Sequence, residues 1–146
     1  MSEFRTIEGY KRQDQRTLSR TLEDYLEMIC RLYHQQPVVR IQHIADLLHV
    51  QPSSVTKMAK QLHEKGYIEY EPYGYIVPTE KGIEQGEYLL YRHQVLHRFL
   101  RYINETEDEL EQVELMEHFF DERTVRNIER LLERLVKSDP SCGTEE

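Results

Sequence analysis

Side chains able to hold a divalent cation gather at three places along the chain: Asp24 with Glu27, His93 alone, and Glu114 with Glu117 and His118. Carboxylate oxygens and imidazole nitrogens with no thiolate among them suit manganese or ferrous iron better than a structural zinc site. Helical spacing separates the three. If Leu22 opens a helix advancing about 100° per residue, its apolar side chains fall at about 280° to 40°, while Glu27 and Asp24 fall at about 140° and 200°, off the core face. Taken alone, such an i, i+3 acidic pair is an ordinary solvated face. A single histidine continuing the stripe Leu90, Leu96, Leu100 is ordinarily a satisfied core residue. The third group is different. With Val113 at zero, Leu110 falls at about 60°, Phe120 at about 340° and Met116 at about 300°, which puts Glu117 at about 40°, inside the apolar stripe. A buried carboxylate needs a partner. Glu114 and His118 adjoin it at i, i+3 and i+4, a spacing at which helical side chains can share a cation, and a metal is the economical partner.

The elements that must position these residues are mostly helical. Residues 1–20 are polar, rich in Arg, Lys and Gln, and without apolar period, so they read as a flexible arm. Thr21 is the expected cap of a helix over residues 22–34, with Leu22, Tyr25, Leu26, Ile29, Leu32 and Tyr33 at helical spacing. A short helix over residues 43–48 follows, with Ile44, Leu47 and Leu48 inward. After a turn at residues 49–51, Pro52 occupies a first-turn position in a helix reaching about Lys65, and Gly66 stops it. Two β-prone runs, residues 67–71 and 75–77, flank Pro72-Tyr73-Gly74 as a hairpin. Helix, short helix, turn, helix and hairpin in this order describe a winged helix-turn-helix, expected over residues 21–78.

From a cap at Thr79 a long helix is expected to about Tyr102, with Ile83, Leu90, Leu96, Leu100 and Ile103 on one side. Further helices are expected at residues 107–120 and 122–137. Three striped helices with so little chain to cover them predict a dimerisation domain over residues 79–137, followed by a disordered tail at 138–146. The fold class is therefore mainly α with a small β-hairpin, a winged helix-turn-helix domain followed by a helical dimerisation domain.

The hairpin and helix-turn-helix give the third helix a function. A recognition helix needs short polar groups at its start and cations further along to meet the DNA backbone. Ser53, Ser54 and Thr56 supply the first, behind Pro52 as a further DNA-contact candidate at the helix start, and Lys57 and Lys60 the second, with Lys65 beyond them. Tyr73 at the wing tip is a candidate backbone or minor-groove contact, and equally an ordinary exposed turn tyrosine.

Charge is distributed accordingly. The 146 residues carry a net −8, but residues 1–70 sum to +1 and residues 71–146 to −9. The first half can approach phosphate and the second suits cations. No run approaches the roughly 20 apolar residues of a membrane span, and the N-terminus has no signal-peptide core, so a cytoplasmic protein with no membrane partner is expected. Cys30 and Cys142 are in no metal or redox spacing; Cys30 reads as buried apolar filler.

At four segments the chain resembles the diphtheria-toxin-repressor family of metal-dependent regulators, in its manganese-transport branch: residues 23–29 (EDYLEMI), 52–58 (PSSVTKM), 91–100 (YRHQVLHRFL) and 113–119 (VELMEHF). The resemblance implies that Asp24, Glu27, His93, Glu114, Glu117 and His118 ligate two manganese(II) ions per chain between the DNA-binding and dimerisation domains. It implies a homodimer on a palindromic double-stranded operator, repressing manganese-uptake genes, with no small-molecule substrate. The iron-responsive branch carries sulfur ligands where this chain has oxygen, which favours manganese. The chain departs from that family by its extra N-terminal arm and by lacking the third, SH3-like domain of longer members. An iron-responsive regulator and a metal-independent winged-helix regulator are the alternatives. A metal-dependent hydrolase is the rival from another class, but the sequence has no glycine-rich phosphate loop or second lobe to form a substrate pocket.

Overall fold

The computed structural model describes residues 18–71 and 74–138, and the chain divides into two compact units, Met1–Thr79 and Glu80–Glu146. The proposed wing-tip contact Tyr73, most of the N-terminal arm, and the tail beyond Ser138 lie outside the described residues.

The first unit is built from α1 (Arg20–Gln35), α2 (Ile41–Leu48), α3 (Pro52–Glu64) and the antiparallel strands β1 (Ile68–Tyr70) and β2 (Ile76–Pro78). Residues 18–20, expected within the arm, belong to this fold: Leu18 is buried, and Ser19 rather than Thr21 caps α1, its hydroxyl accepting from the Leu22 N–H at 3.2 Å. Both residues are good caps, and the one whose cap lets Leu22 turn inward prevails. Leu22, Leu26, Ile29, Ile44, Val55, Leu62 and Ile68 are buried in one core, each side chain worth about 1.5–3 kcal/mol out of water. Leu47, expected inward on α2, is 47% exposed; the buried residues of this helix are Ile44 and Ala45.

His49, at φ 54, ends α2 in the left-handed region, and Pro52 opens α3 from its first turn. Gly66, at φ 85, closes α3, where the Tyr67 N–H donates to the Leu62 carbonyl at 3.0 Å. The hairpin pairs Ile68 with Pro78 and Tyr70 with Ile76. Val39, just before α2, adds a third backbone partner: the Ile76 N–H donates to its carbonyl at 2.8 Å.

The second unit consists of α4 (Glu80–Asn104), α5 (Leu110–Met116), a 3-10 turn (Glu117–Phe119) and α6 (Glu122–Ser138). Leu96 and Leu100 of α4 and Val113 of α5 are buried together, with Phe99, Met116, Phe120 and Ile128 packed against them. Ile103, expected on the inner stripe, is 51% exposed.

The helix expected over residues 107–120 is shorter at both ends. Glu105 leaves α4 through the left-handed region at φ 53. The acidic stretch after it engages its own backbone and side chains: the Leu110 N–H donates to Asp108 Oδ1 at 2.9 Å, and the Thr106 hydroxyl to Glu109 Oε1 at 2.7 Å. Such local bonds compete with a helical ladder. Asp121 then caps α6 by accepting from the Thr124 N–H at 2.7 Å.

Candidate metal centre and nucleic-acid interface

In the second unit His93, Glu114 and Glu117 each present a ligand atom within 4.8 Å of the others. His93 projects from the middle of α4, and its Nδ1 lies 2.9 Å from Glu117 Oε2 and 3.8 Å from Glu114 Oε1. The helix over residues 110–116 and the tighter turn after it bring the two carboxylates to the ring from different distances. Glu117 is 1% exposed, so the side chain predicted to lie inside the apolar stripe is indeed buried. Its position comes from the 3-10 turn, not from the continuous α-helix that the apolar spacing predicts. Glu114 stays open to solvent at the rim.

Among the described residues Glu117 Oε1 has no hydrogen-bond donor. His118 Nε2 is 3.8 Å from it, too far for a hydrogen bond. A buried carboxylate oxygen without a donor costs about 1–3 kcal/mol or more, and a cation would offset that cost. The donor set of carboxylate and imidazole fits a divalent ion of the hard or intermediate kind.

Sequence reasoning misses two neighbours. Arg92 is buried, with Nη2 3.4 Å from His118 Nδ1. Its position next to His93 is the available signal, since one residue along α4 turns the side chain by about 100° towards another face of the same cluster. His97, one helical turn beyond His93, has its ring 6.1 Å away and accepts the Glu109 N–H at Nε2 over 3.2 Å, which ties the loop before α5 to α4. Towards α6, Tyr91 donates to Glu129 Oε1 at 2.9 Å and lies under the Arg126 guanidinium at 5.1 Å, joining α4 to that helix. Burial first, and then the Glu129 carboxylate, raise its phenol above the usual value.

Asp24 and Glu27 stand one turn apart on α1 in the first unit, both half-buried. Glu27 Oε1 accepts from Arg31 Nη2 at 2.6 Å. On α3, Pro52, Ser53, Ser54, Lys57 and Lys60 are exposed, while Val55, Ala59 and Leu62 face the core. Thr56 is half-buried, and its hydroxyl donates to the Pro52 carbonyl at 3.0 Å. That bond competes with any use of Thr56 as a donor elsewhere.

A winged helix-turn-helix followed by a helical unit with a carboxylate and imidazole cluster defines a DNA-binding regulator whose second unit is equipped for metal. The chain matches the family model described as iron dependent repressor, N-terminal DNA binding domain, over residues 17–76, and that of the metal binding and dimerisation domain over residues 79–144. It belongs to the iron-dependent repressor family, whose members are transcriptional regulators and not enzymes. It is 38% identical over 120 residues to the HTH-type transcriptional regulator MntR of Bacillus pumilus, covering 82% of this chain and 83% of that protein. Its identity to the regulator of the same name in Bacillus subtilis is also 38%, over 82% of this chain and 84% of that one. Among solved structures it is similar to the manganese regulator SloR, with a TM-score of 0.66 and 26% identity, covering 77% of this chain and 53% of that one. The chain thus spans about half the length of that structure.

Proposed function

We propose that this chain is a cytoplasmic, manganese-dependent repressor that binds a palindromic operator as a homodimer and controls manganese uptake. The observation that carries the reading is the convergence of His93, Glu114 and Glu117, with a carboxylate oxygen of Glu117 buried and without a donor. Similarity to SloR, a manganese regulator, supports the choice of ion. So does the donor set, which contains no sulfur.

His93, Glu114, Glu117 and His118 would supply ligands from the second unit, and Asp24 and Glu27, by family resemblance, from α1 of the first. Two ions per chain is the count that resemblance implies. A bound divalent ion supplies positive charge and fixed coordination geometry at these groups. Without it, the four carboxylates that the resemblance assigns to one site would repel one another and loosen the segments that carry them. Ions shared in the way the resemblance implies would remove that repulsion and tie α1 to the second unit. In a dimer this sets the separation of the two α3 helices, and only a separation near one DNA turn fits both half-sites. Ser53 and Ser54 at the start of α3 would face base edges and phosphate, with Lys57 and Lys60 on the backbone.

The test is duplex binding followed by fluorescence anisotropy, using a duplex selected from a random-sequence library with the manganese-loaded protein. Binding should require manganese and be reversed by chelation. Equal binding in chelator would overturn the proposal.

A further inference from the structure

We propose that Arg40 and Tyr75 form a grip for a DNA backbone phosphate at the junction of α2 and the wing, outside the recognition helix. The proposal deepens the DNA-binding reading and rests on it.

The junction is fixed by backbone. Val39 pairs with Ile76, which places the residue after the one beside the residue before the other. Both anchors are fully buried, so Arg40 and Tyr75 emerge side by side from a rigid seam. The Arg40 guanidinium carbon lies 5.1 Å from the centre of the Tyr75 ring, and its Nη2 donates to the Tyr75 hydroxyl at 3.4 Å. Arg40, Ile41, Gln42, Gly74 and Tyr75 line an open hollow of about 500 Å³.

Three features give the hollow its ligand. First, Arg40 makes no ion pair with any carboxylate among the described residues, in a chain with 27 acidic side chains against 19 basic ones. Arg31 and Arg126, by contrast, each bind a glutamate one helical turn away. A guanidinium held by an aromatic ring keeps its charge and most of its N–H edge for a planar or tetrahedral oxyanion. Second, α2 has no acidic residue in its first turn and no side-chain cap, so its leading N–H groups add donors on the same side. Third, the placement suits a duplex and not a free anion. In a helix-turn-helix the helix before the recognition helix crosses the backbone, and Arg40 stands at the start of that helix. The Tyr75 hydroxyl, accepting from Arg40, can donate its own proton to a second phosphate oxygen.

The expected contact is with phosphodiester, so it adds affinity without sequence preference. The test is anisotropy with the selected duplex and manganese-loaded protein across a salt series, for wild type, Arg40→Ala, Arg40→Lys and Tyr75→Leu. Arg40→Ala should weaken binding about tenfold and reduce the salt slope by about one. Arg40→Lys should keep the slope yet bind less tightly, because an ammonium has no planar fork. Tyr75→Leu should keep the slope and lose part of the affinity. Arg40 is exposed, and matching thermal melts would establish that the variants fold. An unchanged slope and affinity in Arg40→Ala, with manganese dependence intact, would overturn the grip alone. Wild-type binding that ignores manganese would overturn the manganese reading, while a lost slope in Arg40→Ala would still support the grip.

Discussion

His93 Nδ1 and Glu117 Oε2 lie 2.9 Å apart across 24 residues of sequence, the first on the long helix α4 and the second on a 3-10 turn after α5. The contact brings a titratable pair into an interior where Leu96, Leu100 and Val113 supply the packing. Packing of that kind gains nothing from a buried carboxylate, one oxygen of which has no hydrogen-bond donor among the described residues.

Glu117→Leu separates stability from function at this position. Removing a buried charge should leave the metal-free protein as stable as wild type or more so, since buried ionic groups are often replaced by apolar ones without loss. The rise in melting temperature on adding manganese should shrink sharply, because ligation stabilises only through the native site. Differential scanning calorimetry with and without the ion reads both. A variant that melts lower without metal and keeps the full manganese response would show Glu117 to be structural.

Lys57 and Lys60 are exposed on α3, on the side away from Val55, Ala59 and Leu62. If each neutralises one phosphate, the double alanine variant should reduce the salt slope of duplex binding by about two. Sequence preference should change little, because these lysines position the protein and do not read bases. An unaltered slope would place both on a solvated face.

Asp121 makes the capping of α6 sensitive to acid. The Thr124 side chain and backbone N–H donate to its carboxylate and lower its pKa from the ordinary 3.8. Because the folded value lies below the unfolded one, the cap contributes fully above the unfolded value, and its contribution is lost as pH falls through the lowered one. Asp121→Ala should lower the melting temperature at neutral pH by a few degrees and lose less than wild type on acidification. Melts across an acidic pH series check this. Parallel pH profiles for the two proteins would mean that the cap adds nothing to α6.

The sequence is most legible where a single residue has few conformations open to it. Pro52 and Gly66 mark the ends of α3 closely, and the hairpin follows from two β-prone runs around a turn. It is less legible where several polar residues offer competing bonds. Ser19 and Thr21 are both good helix caps, and only the packing of Leu18 and Leu22 selects the first. Residues 107–109 read as the start of a helix, yet the side chains of this stretch engage their own backbone and one another. Burial of Glu117 is visible in the apolar spacing, but its distance from His93 is not, because periodicity carries no information on how α4 and α5 approach. Arg40 gives no signal for the same reason. Its partner Tyr75 is 35 residues away and is brought near by a backbone bridge.

The central claim, that manganese and DNA binding are coupled, is tested most directly by titrating manganese calorimetrically into the protein with and without the selected duplex. Coupling is reciprocal, so the ion should bind more tightly in the presence of duplex by the same factor by which it tightens duplex binding. A factor of about 5–150 is the range typical of such coupling. About two ions per chain should bind in both titrations. Manganese affinity that is identical with and without duplex would contradict the account, whatever the ligands prove to be.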